Sequence, residues 1–191
     1  MSNLNLQHFV FLGIAGLLLG CGSTQPKSAR VMQDELDGAP KWAKGACEAG
    51  LPNKKAICGA AAVAAMTDIS LARSAAEGRA RTALARNLQV HLRAILRDYK
   101  AGTSAGAEAQ SATEQHIRDA AEQVTETTLS GTRLEDTWIS NAGTFWALVV
   151  LDTESFKDSV QNMRQLDEAM RTAIIERADK SFAELHAATS P

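Results

Sequence analysis

The sequence predicts an α+β fold: a small, largely antiparallel sheet packed by helices, with a long C-terminal helix. Three stretches carry apolar residues at the three- and four-residue spacing of a helix that buries one face. Four shorter stretches are apolar or alternate in the manner of strands, and the order along the chain is strand, helix, strand, helix, strand, strand, helix. Because alanine is abundant and aromatic residues make up 5% of the chain, we expect a thin core with closely packed helices.

The first predicted strand and helix occupy residues 57–63 and 68–88. The strand is short, apolar and rich in small residues, which suits burial on both faces, although the same run could begin a helix. The helix has an alanine-rich face, and Asp68 lies near its N-cap. After it, residues 90–96 alternate between apolar and polar side chains, which predicts a second strand with one buried face.

The next segment predicts a loop, a helix and a hairpin. Residues 101–112 are nearly all Ala, Gly, Ser and Thr and are interpreted as a loop that leads into a helix over 111–129. Residues 133–140 and 145–151 are interpreted as two strands, joined by a turn at Asn141-Ala142-Gly143. The apolar face of the helix is formed by Ile117, Ala120, Ala121 and Val124.

A single long helix is predicted from Glu154 to about Ala188, with its cap near Asp152 or Thr153. At 1.5 Å per residue it would extend roughly 50 Å and overshoot a small domain. Phe182 and Leu185, near its far end, have the spacing of a stripe that contacts another helix. We therefore predict that these two residues form an interaction surface for self-association or partner docking. The alternative is that this end folds back over its own sheet, anchored by Phe182.

The first twenty residues have the pattern of an export signal. They contain no charged side chain, and the apolar block Phe9–Leu19 is shorter than the roughly 18 to 20 residues of a membrane-spanning helix. The sequence Leu18-Leu19-Gly20-Cys21 resembles the lipobox of bacterial lipoproteins. The resemblance implies cleavage before Cys21, lipid on that cysteine and a membrane anchor. The alternative is a plain secretory signal or an uncleaved anchor.

The chain is predicted to divide into three parts. Residues 1–20 are the signal peptide, residues 21–40 the lipidated N-terminus and a flexible tether, and residues 41–191 a single α+β domain. The chain has 22 acidic and 20 basic residues in no block of one sign, so we expect no nucleic-acid partner. The sequence contains no P-loop, GxGxxG or HExxH motif, and we expect no cofactor.

Two further cysteines, Cys47 and Cys58, form an even pair in a chain predicted to be exported. Such a pair is typical of a disulfide, and two free buried thiols are the alternative. The spacing and the absence of a nearby histidine do not indicate a zinc site. We therefore predict a disulfide and no metal.

A family resemblance rests on the sequence Ile57-Cys58-Gly59-Ala60-Ala61-Ala62-Val63 and on the alanines and Ala-Arg pairs of the helix that follows it. These residues resemble the LPP-twenty lipoprotein family, over about Pro40 to Asp152. The resemblance implies an outer-membrane lipoprotein with a compact domain and no catalytic residues to carry over. It also implies homo-oligomers or envelope protein partners, since related domains build flagellar rings or discs. From the same resemblance, an Asp at the position of Gly22 would favour the inner membrane. Gly22 therefore favours a lipid anchor in the outer membrane, with the domain facing the periplasm.

Other sequence motifs give weaker indications of catalysis. Gly102-Thr103-Ser104-Ala105-Gly106 matches a hydrolase elbow, but such an elbow needs a parallel sheet and a downstream acid and histidine. Neighbouring carboxylates at Glu135-Asp136 in a strand point to opposite faces and cannot share one proton transfer. We therefore predict no enzyme. The histidines expected on separate elements are His91, His116 and His186.

Six arginines in the predicted first helix and the strand after it could form a basic patch for an anionic glycan or a lipid headgroup. The alternative is a solvated face, since Glu77 and Asp98 lie among them. The sequence thus favours a membrane-anchored lipoprotein with a structural or assembly role, in a flagellar-type ring or disc for example. The alternative is a lipoprotein that binds a small ligand or glycan. The arginines are Arg73, Arg79, Arg81, Arg86, Arg93 and Arg97.

Overall fold

The structure, a computed structural model, describes residue 31 and residues 33–51, 56–103 and 110–189. The fold is α+β, as predicted, with a three-stranded antiparallel sheet packed against helices. Within the described ranges, no helix is both long enough and apolar enough to cross a bilayer. The helices and strands are α1 (Lys41–Lys44), β1 (Ala56–Val63), α2 (Ile69–Thr103), α3 (Gln110–Thr128), β2 (Arg133–Ile139), β3 (Phe145–Asp152), α4 (Thr153–Gln161) and α5 (Glu168–Thr189), with short 3-10 helices at Cys47–Gly50 and Leu129–Gly131.

Strand β3 lies at the centre of the sheet, between β1 and β2, and runs antiparallel to both. The predicted hairpin of β2 and β3 is confirmed. In its turn, the Ser140 N–H donates to the Thr144 carbonyl over 3.0 Å, and Gly143 has a positive φ of 83°. That backbone conformation favours glycine, which explains the turn signal in the sequence.

Helix α2 begins where the sequence predicts. The Asp68 carboxylate accepts hydrogen bonds from the backbone N–H groups of Ser70 and Leu71, at 2.9 and 3.0 Å. These bonds satisfy two of the donors that a helix leaves free at its first turn, so Asp68 is the N-cap.

The strand predicted at residues 90–96 is wrong, because α2 continues through this segment to Thr103. Leu88, Leu92 and Leu96 are fully buried at four-residue spacing, whereas Val90 is 64% exposed. All three leucines satisfy the period of a strand and the period of a helix equally well. A strand would also place Val90 on their face, so its exposure fits only the helix.

Helix α2 rests on β1 at very short range. A Cβ atom added to Gly59 would lie 2.3 Å from the Ala80 carbonyl oxygen and 2.4 Å from the Leu84 nitrogen. The helix backbone therefore lies almost directly on the strand backbone, as the alanine-rich face predicted. The side chains of α2 that are buried along this half of the helix are Ala72, Ala76, Ala80 and Leu84.

The single C-terminal helix that was predicted is two helices, α4 and α5, and this prediction is wrong in length and shape. Asp167 starts the second helix, since its carboxylate accepts the Met170 N–H at 2.7 Å. Arg171 donates to the carbonyl groups of Met163 and Leu166, at 3.0 and 2.6 Å, and closes the turn between the helices. Buried Met163 and Leu166 pull this turn onto the core.

Helix α5 returns alongside α4, so that Phe182 meets Phe156 with ring centroids 5.2 Å apart. Lys157 of α4 also pairs with Asp179 of α5 at 2.6 Å. Phe182 is only 2% exposed, so its predicted role at an interaction surface is wrong, because the side chain belongs to the core. The alternative is correct in that this end folds back and Phe182 anchors it, but α5 packs mainly against helices α4 and α2, where the sheet had been expected. Leu185 lies in α5, and its side chain is outside the described part.

The sheet has two covered faces. We call the side that packs on α2 the helix face; it is formed by Ile57, Val63, Phe145, Ala147, Val149 and Leu151. The opposite side, the N-terminal face, is covered by residues 36–51 and is formed by Cys58, Ala60, Trp138, Trp146, Leu148 and Val150. Burial of β1 on both faces, predicted from its apolar sequence, is thereby confirmed.

The domain begins earlier than predicted. Leu36 packs against the N-terminal face and Ala39 is buried there, although both were placed in the tether of residues 21–40. Their three-residue spacing within a short segment presents one small apolar face to the sheet. Residues 21–30 lie outside the described residues.

Candidate functional site

The candidate site is a cleft of about 420 Å³, open to solvent, where the edge of β1 meets α2. The 3-10 helix Cys47–Gly50 forms its third wall. Most lining residues are small, and the polar ones are Glu48, Asn87 and His91. Asn87 and His91 are one helical turn apart on α2, so their side chains share a face of that helix.

The disulfide predicted between Cys47 and Cys58 is present, and it holds the third wall on the sheet. Cys58 belongs to β1 and is fully buried, while Cys47 opens the 3-10 helix and is 8% exposed. Because the bond ties this short helix to the middle of a strand, it also fixes the position of Glu48, which is 5% exposed.

His91 is a titratable residue of the cleft whose pKa is shifted by its surroundings. Burial lowers the pKa of the imidazole below its ordinary value of 6.5, and the nearby Glu48 carboxylate partly opposes this effect. A lowered pKa keeps the imidazole neutral at neutral pH, able to donate one hydrogen bond and accept another. Together with Glu48 and Asn87 it offers hydrogen bonds to a small polar molecule.

The cleft lacks the parts of a hydrolytic site. The residues that line it include neither a hydroxyl group nor a free thiol, so His91 has no nucleophile to activate there. Glu48 lies with Cys47 and Cys58 in a group whose potential ligand atoms are within 4.8 Å of one another. Since the two sulfur atoms are bonded to each other, only one carboxylate is left, which is too few ligands for zinc.

The other sequence motifs do not join the cleft. Gly102 and Thr103 end α2, and residues 104–106 of the elbow-like motif lie outside the described residues. The described sheet is antiparallel throughout, unlike the parallel sheet that such an elbow needs. His91 and His116 lie on α2 and α3, and the side chain of His186 is outside the described part.

The two neighbouring carboxylates of β2 have separate partners. Glu135 pairs with Arg133 at 3.0 Å. Asp136 accepts a hydrogen bond of 2.9 Å from Trp42 Nε1, across the N-terminal face. Arg133 also pairs with Asp152 on β3. These contacts tie strands and segments together, and a register shift between Leu134 and Asp136 interrupts the strand here.

Several arginines of the predicted patch also serve the fold. Arg81 pairs with Glu77 at 2.7 Å, and Arg97 pairs with Glu114 of α3 at 2.9 Å. Arg79 donates to the Ala62 carbonyl of β1 over 3.0 Å. These contacts favour the alternative stated above, a solvated face with interspersed acidic residues, over a single anion site.

A second polar site, which the sequence did not indicate, joins the N-terminal segment to the hairpin turn. Donors on Ser140, then Thr144 and Trp146, hold the pKa of the Glu35 carboxyl below its usual range, against the opposing effect of burial. Ser140 has the largest effect on this pKa, and among the described residues Glu35 Oε1 and Trp146 Nε1 are themselves buried without a hydrogen bond of standard geometry. The site was missed because Glu35 was assigned to the tether.

Comparison with known proteins adds no relative. No model of a known protein family matches the chain, and no curated protein matches it. The function therefore has to be inferred from the residues and their geometry.

Proposed function

We propose that this chain is a lipoprotein of the bacterial outer membrane, held by lipid on Cys21 and facing the periplasm, with a structural or assembly role. The observation that carries the proposal is Leu18-Leu19-Gly20-Cys21 at the end of twenty residues without a charged side chain. An apolar block followed by small residues and a cysteine is the arrangement that export and lipid attachment require.

The disulfide supports export. Cys47 and Cys58 are bonded, and structural disulfides persist in oxidising compartments such as the periplasm and not in the cytosol. The bond lies between the N-terminal segment and the sheet, so the segment that would lead to the anchor is fastened to the domain.

The assembly role rests on two supports. The described cleft offers hydrogen-bonding groups without a nucleophile, which gives no basis for catalysis. The resemblance of β1 and α2 to the LPP-twenty family further suggests partners in the envelope, including copies of this chain in a ring or disc. The close contact at Gly59 is what the glycine and alanines of that resemblance would produce.

The anchor is tested by replacing Cys21 with Ser in the full chain expressed in bacteria. Mass analysis of the wild-type N-terminal peptide should find Cys21 at the N-terminus carrying acyl chains, with the protein in the membrane fraction. The Cys21→Ser chain should accumulate as uncleaved precursor without lipid. Ser23→Ala is the matched control and should be processed normally. Equal processing and lipid-independent membrane retention in both variants would contradict the proposal.

The assembly role is tested on the lipidated protein in detergent. Light scattering should give a mass well above that of one chain plus its micelle, and crosslinking in cells should yield multiples of the chain or defined envelope partners. A strictly monomeric protein without crosslinked partners would contradict an assembly role while leaving the anchor intact.

The second candidate function, binding of a small ligand or glycan, is favoured by His91 and Glu48 in the cleft. Native mass spectrometry of the protein purified from its membranes should then show a noncovalent adduct that His91→Ala removes. Arg86→Ala, exposed on the same helix, is the control and should keep the adduct. An adduct that survives both substitutions would place the ligand outside the cleft.

A further inference from the structure

Large apolar side chains are exposed mainly at one end of the domain. In the described part of the chain, six such side chains are 44% to 66% exposed, and five of them belong to this end. The sixth, Val90, lies far along α2. Soluble domains rarely gather exposed apolar residues without a binding role. We call these five residues the apolar end: Val31, Met66, Ile69, Leu71 and Ile139.

The sheet topology brings these residues together. Strand β1 ends at Val63, opposite Phe145, which is also paired with Ile139 of β2. The chain after β1 passes the hairpin turn, where a Cβ atom on Gly143 would come within 3.1 Å of Ala65. Met66 follows Ala65 directly. The loop after β1, the end of β2 and the hairpin turn therefore meet at one end of the sheet.

Helix α2 contributes because it starts beyond the sheet. Ile69 is on the same side of the helix as Ala72 and Ala76, which are 4% and 0% exposed, yet Ile69 is 64% exposed. The buried stripe of the helix therefore continues past the strands that cover it. A side chain of this size at the uncovered end of a stripe has apolar surface that its own domain does not bury.

The N-terminal segment enters the domain at the same end of the sheet. Glu35 meets Ser140 and Thr144 of the hairpin turn, and Val31 is helical, as are residues 33–35. Four helical residues rise about 6 Å, so Val31 lies about one turn from that contact. The ten steps from Cys21 to Val31 can span at most about 36 Å. Lipid on Cys21 would therefore keep the apolar end close to the bilayer.

The charges near the apolar end do not form a basic patch. Arg73 is exposed in the first turns of α2, but Asp68 before it and Asp34 and Asp37 beside Val31 are exposed as well. Attraction of the apolar end to the bilayer would therefore come from burial of its apolar side chains in the interfacial region, and not from the charge of the headgroups. Tethering raises the local concentration of the patch at the membrane, so a small apolar surface is sufficient for contact.

We infer that the apolar end is a membrane-contact surface, which lies on the bilayer that holds the lipid and so orients the domain with α2 pointing away from it. The inference rests on the proposed anchoring through Cys21. It goes further, because an anchored domain on a tether could equally stand clear of the bilayer.

The test uses the lipidated full chain in vesicles of phosphatidylethanolamine and phosphatidylglycerol. With lipid on Cys21 and a bond between Cys47 and Cys58, an introduced cysteine is the only free thiol. Ile69→Cys and Val90→Cys are the matched pair, since both positions are 64% exposed and lie about 30 Å apart along α2. Each carries a polarity-sensitive dye, and lipids brominated in their acyl chains act as quenchers.

We expect blue-shifted emission and several-fold stronger quenching at position 69 than at position 90, with little dependence on salt. Ile139→Asp, at a second exposed site of the apolar end, should reduce the quenching at position 69 while the protein stays on the vesicles. Equal weak quenching at both positions overturns the inference. A blue shift at 69 without bromine quenching also overturns it, because a protein then covers the surface. Failure of the anchor itself is recognised separately, as an unacylated protein that does not cosediment with vesicles.

Discussion

On the helix face of the sheet, β1 and β3 meet a continuous core built from α2, α3, α4 and α5. In the part of the chain that the structure describes, the N-terminal face meets the short segment of residues 35–51. The first core extends from Ala72 at one end of α2 to Leu96 near the other. The second is a smaller apolar cluster, reinforced by three discrete contacts: the disulfide, the bond from Trp42 to Asp136 and the contact of Glu35 with the hairpin turn.

The two faces should therefore contribute differently to global stability and to local opening. A continuous core transmits any loss of packing to the whole domain, because its side chains share neighbours. A segment held by discrete anchors can open while the rest stays folded. We therefore expect substitutions on the helix face to lower global stability, and substitutions on the N-terminal face to release residues 33–51 first.

The largest effect is expected from Phe182→Ala. Phe182 is 2% exposed and packs on Phe156, so its removal leaves a cavity in the helix-face core and should cost about 3–5 kcal/mol of unfolding free energy. Val90→Ala, at an exposed apolar position, should change the unfolding free energy by about 0.5 kcal/mol or less. Urea unfolding measures both. A lost oligomer with unchanged stability in Phe182→Ala would restore the interaction surface predicted from the sequence.

Gly59→Ala comes next, because the added methyl group would meet backbone atoms of α2 and not a flexible side chain. We expect a loss of about 3 kcal/mol as α2 is pushed off β1. The control is Gly78→Ala on the exposed side of the same helix, where an added Cβ has nothing within 4 Å. It should stabilise the domain by about 0.5–1 kcal/mol. Equal effects of the two substitutions would disprove the close contact.

Removing the disulfide weakens the N-terminal face alone. The bond closes a loop with a sequence separation of 11, which corresponds to about 3 kcal/mol in the chain-entropy model. In the double variant Cys47→Ala, Cys58→Ala, hydrogen exchange should accelerate in residues 33–51 well before it does in α2. Uniform acceleration across α2 and the N-terminal segment would show that both faces unfold as one unit.

The contact of Trp42 with Asp136 should contribute less, about 1 kcal/mol, since it is one partly buried hydrogen bond. Asp136→Ala removes the acceptor, whereas Asp136→Asn keeps an oxygen at the same position and should lose less. A double-mutant cycle with Trp42→Phe isolates the bond. A coupling energy near zero would mean that the segment is held by the disulfide and apolar contacts alone.

The same contrast explains what the sequence could predict. Elements whose signals are local were correct: β1, the hairpin with its glycine, α3 and the Asp68 cap. Periodicity failed at residues 90–96, where Leu92 and Leu96 fit two periods. It failed again at residues 162–167, where a helix ends without Gly or Pro and the local signals are Asn162 at its C-cap and Asp167 before the next helix. The cleft could not be predicted, since its walls come from segments far apart in sequence. Cys21 stays a prediction.

The smallest effect is a pH dependence carried by His91, beside the wall that the disulfide holds. Since burial lowers the pKa of His91 in the folded state, the unfolded chain takes up a proton first as the pH falls below about 6.5. The stability that the neutral imidazole contributes is therefore complete above pH 6.5 and is lost as the pH falls through the folded pKa.

His91→Gln should flatten this part of the curve of unfolding free energy against pH. Glu48→Gln should steepen it, because the carboxylate that favours the imidazolium is removed. Urea unfolding between pH 5 and 8, with an NMR titration of the imidazole, measures both variants. A wild-type slope unchanged by either substitution would show that the cleft wall does not shield His91 from solvent, and that the N-terminal segment already stands open.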